Sequence, residues 1–215
     1  MAKRRRVGNI LALAVLATLV QRPMHPYEMA SLLRARGKEQ DMRIKWGSLY
    51  TVVGNLEKHG LVEATESVRQ GGRPERTIYR ITDAGREELL DWTRELISTP
   101  EREFPRFEAG LSVLGVLPPE EAIDLLRQRL GLLEQELHRD RDALAEHGKD
   151  VPRLFLVEME YDLAVRAAEA TWTRSLLDEL TSGSFPDLDV WRAWHETGEV
   201  PPEMAELADR GRPQD

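Results

Sequence analysis

The spacing of hydrophobic and polar positions changes several times along this sequence. An apolar run from Ile10 to Val20 predicts a first helix that is buried behind a basic N-terminal arm. The His25-Pro26 step breaks the chain and predicts a second helix over 27–36, which Gly37 ends. A third helix is predicted over 47–59, because its apolar residues recur at helical spacing and form one buried stripe. The residues of that stripe are Leu49, Val52, Val53 and Leu56.

After Gly60 the pattern changes to that of β-strands. Residues 61–68 and 76–82 predict two short strands, and the turn-rich segment between them predicts a hairpin tip. Thr82 is a candidate N-cap for a fourth helix over 83–97. Three helices followed at once by a two-stranded wing are the order of a winged helix-turn-helix, whose third helix enters the major groove of DNA.

The second half of the chain predicts long helices. A helix is expected from Thr99 to about Gly115, another opens at Pro118-Pro119, and a second long helix spans 153–181. The apolar residues of the first long helix step by three and four, the spacing of a coiled-coil seam. Because the second long helix is expected to cover only part of this seam, the sequence predicts that a second chain covers the rest. The predicted dimerisation residues are Ile123, Leu126, Leu130, Leu133, Leu137 and Leu144.

The predicted fold class is therefore mainly α with a small two-stranded wing, a winged helix-turn-helix joined to an α-helical dimerisation domain. The expected division is a DNA-binding domain over 1–97, a helical dimerisation and effector domain over 98–182, and an acidic tail over 183–215. Trp191 and Trp194 in that tail are expected to pack against other parts of the protein.

Charge is divided unevenly along the chain. Residues 1–90 carry 16 Lys/Arg against 10 Asp/Glu, whereas residues 91–215 carry 14 against 28, and the whole chain has a net charge of −8. A basic first part on an acidic body indicates that the first part meets a polyanion. The chain has no cysteine, which excludes disulfides, thiol nucleophiles and cysteine-zinc sites.

The polar side of the third helix is the candidate DNA-reading surface. Short hydroxyl and amide side chains suit base edges, and lysine suits phosphate. The residues on that side are Ser48, Thr51, Asn55 and Lys58, and Lys45 precedes the helix. The wing adds Arg69, Arg73 and Arg76, and its glycines Gly71 and Gly72 allow close backbone approach.

Four segments of the same region resemble the PadR family of transcription regulators. They are His25-Pro26-Tyr27-Glu28-Met29, Gly47-Ser48-Leu49-Tyr50, Leu56-Glu57-Lys58-His59-Gly60-Leu61-Val62 and Tyr79-Arg80-Ile81-Thr82-Asp83-Ala84-Gly85. The resemblance implies a long helical C-terminal domain that dimerises, and repression that a small aromatic ligand releases. It also implies backbone contacts to DNA from Tyr27, Ser48 and Tyr50. The chain departs from the family at Trp46 and Thr51, where the family often has proline.

No motif in the sequence predicts an enzyme, a metal site or a cofactor. The five histidines lack metal-ligand spacing, and no phosphate-binding glycine loop or nucleophile elbow occurs. The apolar run at the N-terminus is shorter than a membrane-spanning helix, so we expect a cytoplasmic protein without membrane contact. The sequence predicts a repressor that binds a pseudo-palindromic double-stranded DNA operator as a homodimer and responds to a small aromatic effector. The alternative is an adaptor that uses the winged helix for protein–protein contact.

Overall fold

The computed structural model describes residues 7–38, 42, 46–68 and 76–201, without the side chains of 66–68 and 76. The chain divides into two compact units, Met1–Arg102 and Glu103–Asp215. Each unit has its own cluster of buried apolar side chains.

The first unit contains helices that precede and follow a two-stranded antiparallel sheet. Its elements are α1 (Ile10–Leu19), α2 (Pro26–Ala35), α3 (Leu49–Lys58), β1 (Val62–Val68), β2 (Arg76–Ile81) and α4 (Asp83–Ser98). A 3-10 turn over Trp46–Ser48 leads directly into α3. These bounds confirm the predicted order of helices and wing strands.

Helix α1 is the centre of the first unit. It is apolar on nearly every side, and it contacts α2, α3, α4 and β2. A helix that is hydrophobic all round belongs in a core. Its buried hydroxyl at Thr18 is satisfied, because Thr18 Oγ1 donates to the Ala14 carbonyl at 2.8 Å. Among residues 7–38, 46–68 and 76–201, no helix is long and apolar enough to cross a membrane.

The wing strands are tied to the helices at one point near their base. Tyr79 of β2 exchanges two backbone hydrogen bonds of 3.0 Å with Met24, which lies in the link between α1 and α2. Met24 is itself fully buried. Further out, Glu63 and Arg80 are cross-strand partners and form an ion pair. The base of the hairpin is therefore fixed to the core of the unit.

The junction between β2 and α4 requires a glycine. Thr82 caps α4 as predicted, since its Oγ1 accepts from Gly85 N at 3.0 Å, and it also donates to the Gly60 carbonyl at 2.7 Å. These contacts bring α4 so close to the turn after α3 that a Cβ on Gly85 would lie 2.0 Å from the Leu61 carbonyl oxygen. No side chain fits there without a backbone shift.

The second unit is helical throughout its described part. Its helices are α5 (Arg106–Leu111), α6 (Pro119–His147), α7 (Val157–Ser182) and α8 (Leu188–Thr197). Two predicted helix starts are wrong. The helix expected from Thr99 begins only at Arg106, because Pro105 disfavours a helical conformation in the residue before it. The second long helix begins at Val157, after a 3-10 turn over Arg153–Phe155.

Helices α6 and α7 form an antiparallel pair that buries the predicted leucine seam within one chain. The buried seam residues are Leu126, Leu130, Leu133 and Leu137, while Ile123 and Leu144 are half-buried. They pack against apolar residues of α7 and α8, among them Ala170, Leu177, Leu180 and Leu188. The premise that a second chain must cover this seam is therefore wrong, because the stripe on α7 is long enough to cover it.

Ion pairs join α6 and α7 on both sides of the seam. Arg129 pairs with Glu169, and Arg166 pairs with Glu136 at 2.6 Å. Arg174 pairs with Glu134 at 2.5 Å and shares with Arg141 a surface groove of about 270 Å³ between the two helices. The pairs connect opposite charges across two antiparallel helices, so they reinforce the register that the leucines set.

Helix α8 holds the start of α6 through polar contacts. Trp191 Nε1 donates to the Leu117 carbonyl at 3.0 Å, and His195 Nε2 lies 2.9 Å from the Gly115 carbonyl. Arg192 donates to Glu120 at 2.9 Å. The hydrogen bond from Arg192 lowers the pKa of the Glu120 carboxyl.

Candidate nucleic-acid interface

Helix α3 has one buried face and one exposed face. Leu49, Val52, Val53 and Leu56 are at most 3% exposed and anchor the helix in the core of the first unit. The residues of the other face are exposed: Tyr50, Thr51, Gly54, Asn55, Glu57 and Lys58. The helix therefore presents to solvent a row of short polar side chains next to an aromatic ring.

Two exposed tyrosines lie on either side of His25. Tyr27 and Tyr50 are 67% and 64% exposed, which is unusual for side chains of this size in a folded unit. His25 caps α2, because its Nδ1 accepts from Tyr27 N at 3.1 Å. Its ring also meets the Tyr50 ring edge-on, with centroids 6.5 Å apart. The cap of α2 thus connects the two tyrosine positions across one surface.

The structure describes part of the predicted set of DNA-binding residues. Among them, Gly47, Thr51, Asn55 and Lys58 are exposed and Ser48 is half-buried. Lys45, Arg69 and Arg73 lie outside the described residues, as does the side chain of Arg76, whose backbone is in β2. The DNA-contact role of each of these residues stays a prediction.

Three residues of this surface were missed in the sequence. His25 was treated as a chain break, although a histidine before Pro26 is placed to cap a helix. Trp46 was noted only as a departure from proline, yet its ring packs against the core and lies under the Arg34 guanidinium, 4.4 Å from the ring centroid. Gly54 went unremarked, although a glycine inside a helix is a signal in itself.

The charges around α3 are partly neutralised by neighbours. Arg22 pairs with Glu28 of α2, and the hydrogen bond from Arg22 lowers the pKa of that carboxyl. Burial raises the pKa of Tyr79, and the nearby Glu57 carboxylate raises it further. Lys58, at the end of α3, is exposed on the same side as Thr51. It is placed to contact phosphate when the helix approaches a duplex.

The helices and wing of the first unit define a winged helix-turn-helix protein. Residues 15–91 match the model of the family described as "Transcriptional regulator PadR-like family". The chain therefore carries a domain of the PadR-like family over those residues, as the motifs predicted.

Two relatives are similar to this chain in sequence. The negative transcriptional regulator PadR of Bacillus subtilis (strain 168) is 26% identical over 122 residues, covering 57% of this chain and 66% of the relative. A probable transcriptional regulator of Mycobacterium tuberculosis (strain ATCC 25618 / H37Rv) is 32% identical over 89 residues, covering 40% of this chain and 44% of the relative. The matches span less than two thirds of the length of either relative.

Solved structures share the fold over most of the chain. Bacillus subtilis PadR in complex with operator DNA matches with a TM-score of 0.67 at 20% identity, over 84% of this chain and 99% of that chain. The same protein in complex with p-coumaric acid has a TM-score of 0.66 at 19% identity, over 80% and 99%. The Vibrio cholerae virulence activator AphA has a TM-score of 0.60 at 20% identity, over 80% and 98%. At such identities the likeness establishes the fold.

Proposed function

We propose that this protein is a sequence-specific, DNA-binding transcriptional regulator that reads its operator with the exposed face of α3. The observation that carries the proposal is the two-sided character of that helix. One side is buried in the core, and the other offers Thr51, Asn55 and Lys58 next to the exposed ring of Tyr50. A helix held in this way behind a two-stranded wing is the arrangement that winged-helix proteins insert into the major groove.

The chemistry of the face suits a duplex. The Asn55 amide can donate to and accept from an adenine edge, and the Thr51 hydroxyl can pair with any base edge. Lys58 would add a phosphate contact, and the excess of basic residues in 1–90 attracts a polyanion as a whole. The operator complex of Bacillus subtilis PadR, which has the same fold, supports the same use of the surface.

Substitutions on α3 separate base reading from phosphate binding. A duplex is first selected from a random-sequence library with the wild-type protein and then used in gel-shift titrations at several salt concentrations. Asn55→Ala should weaken binding to this duplex about tenfold and bring it closer to the affinity for a scrambled duplex. Lys58→Ala should weaken binding to both duplexes and lower the slope of log affinity against log salt by about 0.9.

The controls decide between this function and the adaptor alternative. Lys149→Ala removes an equal charge from the second unit, where Lys149 pairs with Glu146, and should leave binding to both duplexes unchanged. If the wild-type protein selects no sequence from the library, the proposal is wrong and the adaptor alternative gains support. If Asn55→Ala binds the selected duplex like the wild type, α3 is not the reading helix.

The finer parts of the proposal are dimerisation and effector response. Since the leucine seam is covered within the chain, we assign the dimer contact to the exposed apolar side of α7. Its residues step by four, four, three and four, as in a coiled-coil seam: Val157, Tyr161, Val165, Ala168 and Trp172. Of these, Tyr161 is 71% exposed and Trp172 is 48% exposed. Apolar side chains in one such row favour a matching row on a second copy.

A charge placed in the exposed row of α7 tests the dimer contact. Tyr161→Glu should convert the dimer to a folded monomer in sedimentation, with helicity unchanged. Gln135→Glu adds the same charge to an exposed position of α6 and should leave the dimer intact. A Tyr161→Glu protein that sediments like the wild type would contradict this assignment. In the dimer, two α3 helices would meet half-sites about 34–36 Å apart, so the selected duplex should be a pseudo-palindrome.

Effector response is tested with one named compound. Bacillus subtilis PadR has been crystallised with p-coumaric acid, and we propose that a small aromatic acid of this kind releases the present protein from DNA as well. Adding p-coumaric acid to the preformed complex with the selected duplex should then lower the bound fraction. Benzyl alcohol, which has a ring but no carboxylate, serves as the control. The proposed sign of regulation is repression, and a reporter behind the selected sequence should be more active when the protein is absent.

A further inference from the structure

Gly54 lies in the middle of α3, yet nothing in the fold requires a glycine there. A Cβ added to it would meet no heavy atom of the described residues within 4 Å, apart from its own helix and chain neighbours. Its backbone is helical, and it is absent from the positive-φ glycines. In contrast, Gly85 of α4 would clash with a backbone carbonyl if it gained a side chain. Internal packing therefore explains Gly85 and leaves Gly54 unexplained.

A glycine at this position makes the helix less stable. Only proline is a poorer helix former than glycine, whereas alanine is the best, so α3 would form more readily with alanine at 54. Because the space around position 54 is open, a methyl group would cost nothing in packing. The reason for the glycine must therefore be sought outside the folded chain.

The direction in which position 54 points shows where that reason lies. At 100° per residue, Gly54 lies within about 30° of the direction opposite the buried stripe of α3. Tyr50 and Lys58 are one turn before and one turn after it, and both are exposed. A side chain at 54 would thus project from the centre of the surface that faces a partner.

We propose that Gly54 lets the backbone of α3 come close to the base edges of DNA, an inference that rests on the proposed function. A helix with its side chains is about 10–12 Å across, and the major groove is about 12 Å wide and 8.5 Å deep. Thr51 and Asn55 have short side chains, so they reach base edges only when the helix is seated deeply. A side chain at 54 would hold the helix away and separate both residues from the bases.

The proposal predicts opposite effects of one substitution on stability and on binding. Gly54→Ala in the full-length protein should raise the melting temperature of the first unit by about 2–4 °C. The same variant should lose about tenfold in affinity for the duplex selected by the wild-type protein, because displaced base contacts lose this much or more. Binding to a scrambled duplex depends on phosphate contacts and should change less than twofold. Gly54→Leu should lose still more specific affinity.

Gly131 provides the matched control. It also lies inside a helix where an added methyl group would meet nothing within 4 Å, but it belongs to α6 in the second unit. Gly131→Ala should stabilise the protein and leave binding to both duplexes unchanged. The proposal is overturned if Gly54→Ala binds the selected duplex within twofold of the wild type. It is equally overturned if the melting temperature falls, because the open space around position 54 is its premise. A wild-type protein that selects no duplex refutes the proposed function itself.

Discussion

Gly85→Ala offers the sharpest test of how the wing is joined to α4. The added methyl carbon would lie 2.0 Å from the Leu61 carbonyl oxygen and 2.9 Å from a carbon of Ile81, so α4 must move away by more than 1 Å. This shift breaks the Thr82 cap, worth about 1 kcal/mol, and strains the packing of buried Ile81, where overpacking costs about 1–3 kcal/mol. Reduced freedom of the unfolded chain returns about 0.4–1 kcal/mol. We expect a net loss of about 2–3 kcal/mol.

Urea unfolding followed by circular dichroism and tryptophan fluorescence measures this loss. The buried Trp92 of α4 reports on the first unit. Gly131→Ala, where the new methyl group meets open space, should instead stabilise by about 0.5–1 kcal/mol. A Gly85→Ala protein as stable as the wild type would refute the close approach of α4 to the turn after α3.

Three further predictions concern the second unit. Thr173 is fully buried and its Oγ1 has no partner among the described residues, so Thr173→Val should stabilise by about 1 kcal/mol in thermal unfolding, whereas Thr171→Val, which loses a bond to Ala167, should not. Leu133→Asp buries a charge in the covered seam and should unfold this unit in circular dichroism, where Tyr161→Glu leaves it folded. The folded pKa of Glu120 is lowered, so its stabilising bond with Arg192 is present above pH 4.5 and lost as the pH falls through the lowered value; Glu120→Gln should therefore be less stable than the wild type near neutral pH and match it in acid.

Local rules were enough to predict the first unit. The buried stripe of α3, the positive-φ glycine at 60 and the Thr82 cap each constrain the backbone through residues close in sequence. The polar face of α3 followed from the same periodicity. The Met24 bridge to Tyr79 did not, because it joins residues far apart in the chain and leaves no local pattern.

The helix starts of the second unit show where local rules mislead. Thr99-Pro100-Glu101 has the composition of a helix start, yet the chain stays extended until Pro105. A second proline five residues later offers an equally good start, and the sequence alone does not rank the two. Packing decides, since Phe107 of the helix that does form reaches the Arg129 guanidinium and the ring of Trp172.

The leucine seam illustrates a more general limit of periodicity. Apolar residues at steps of three and four say that a helix face is covered, but they carry no information about which helix covers it. Two rows of this kind exist in the second unit, one on α6 and one on α7, and the more regular leucine row was taken as the dimer contact. The structure uses that row to join α6 to α7 inside one chain, with Arg–Glu pairs on both sides. The row left exposed has Tyr161 and Trp172 in place of leucines. Large amphipathic rings tolerate water before a partner binds, which makes them better suited than leucines to a surface that two chains must find.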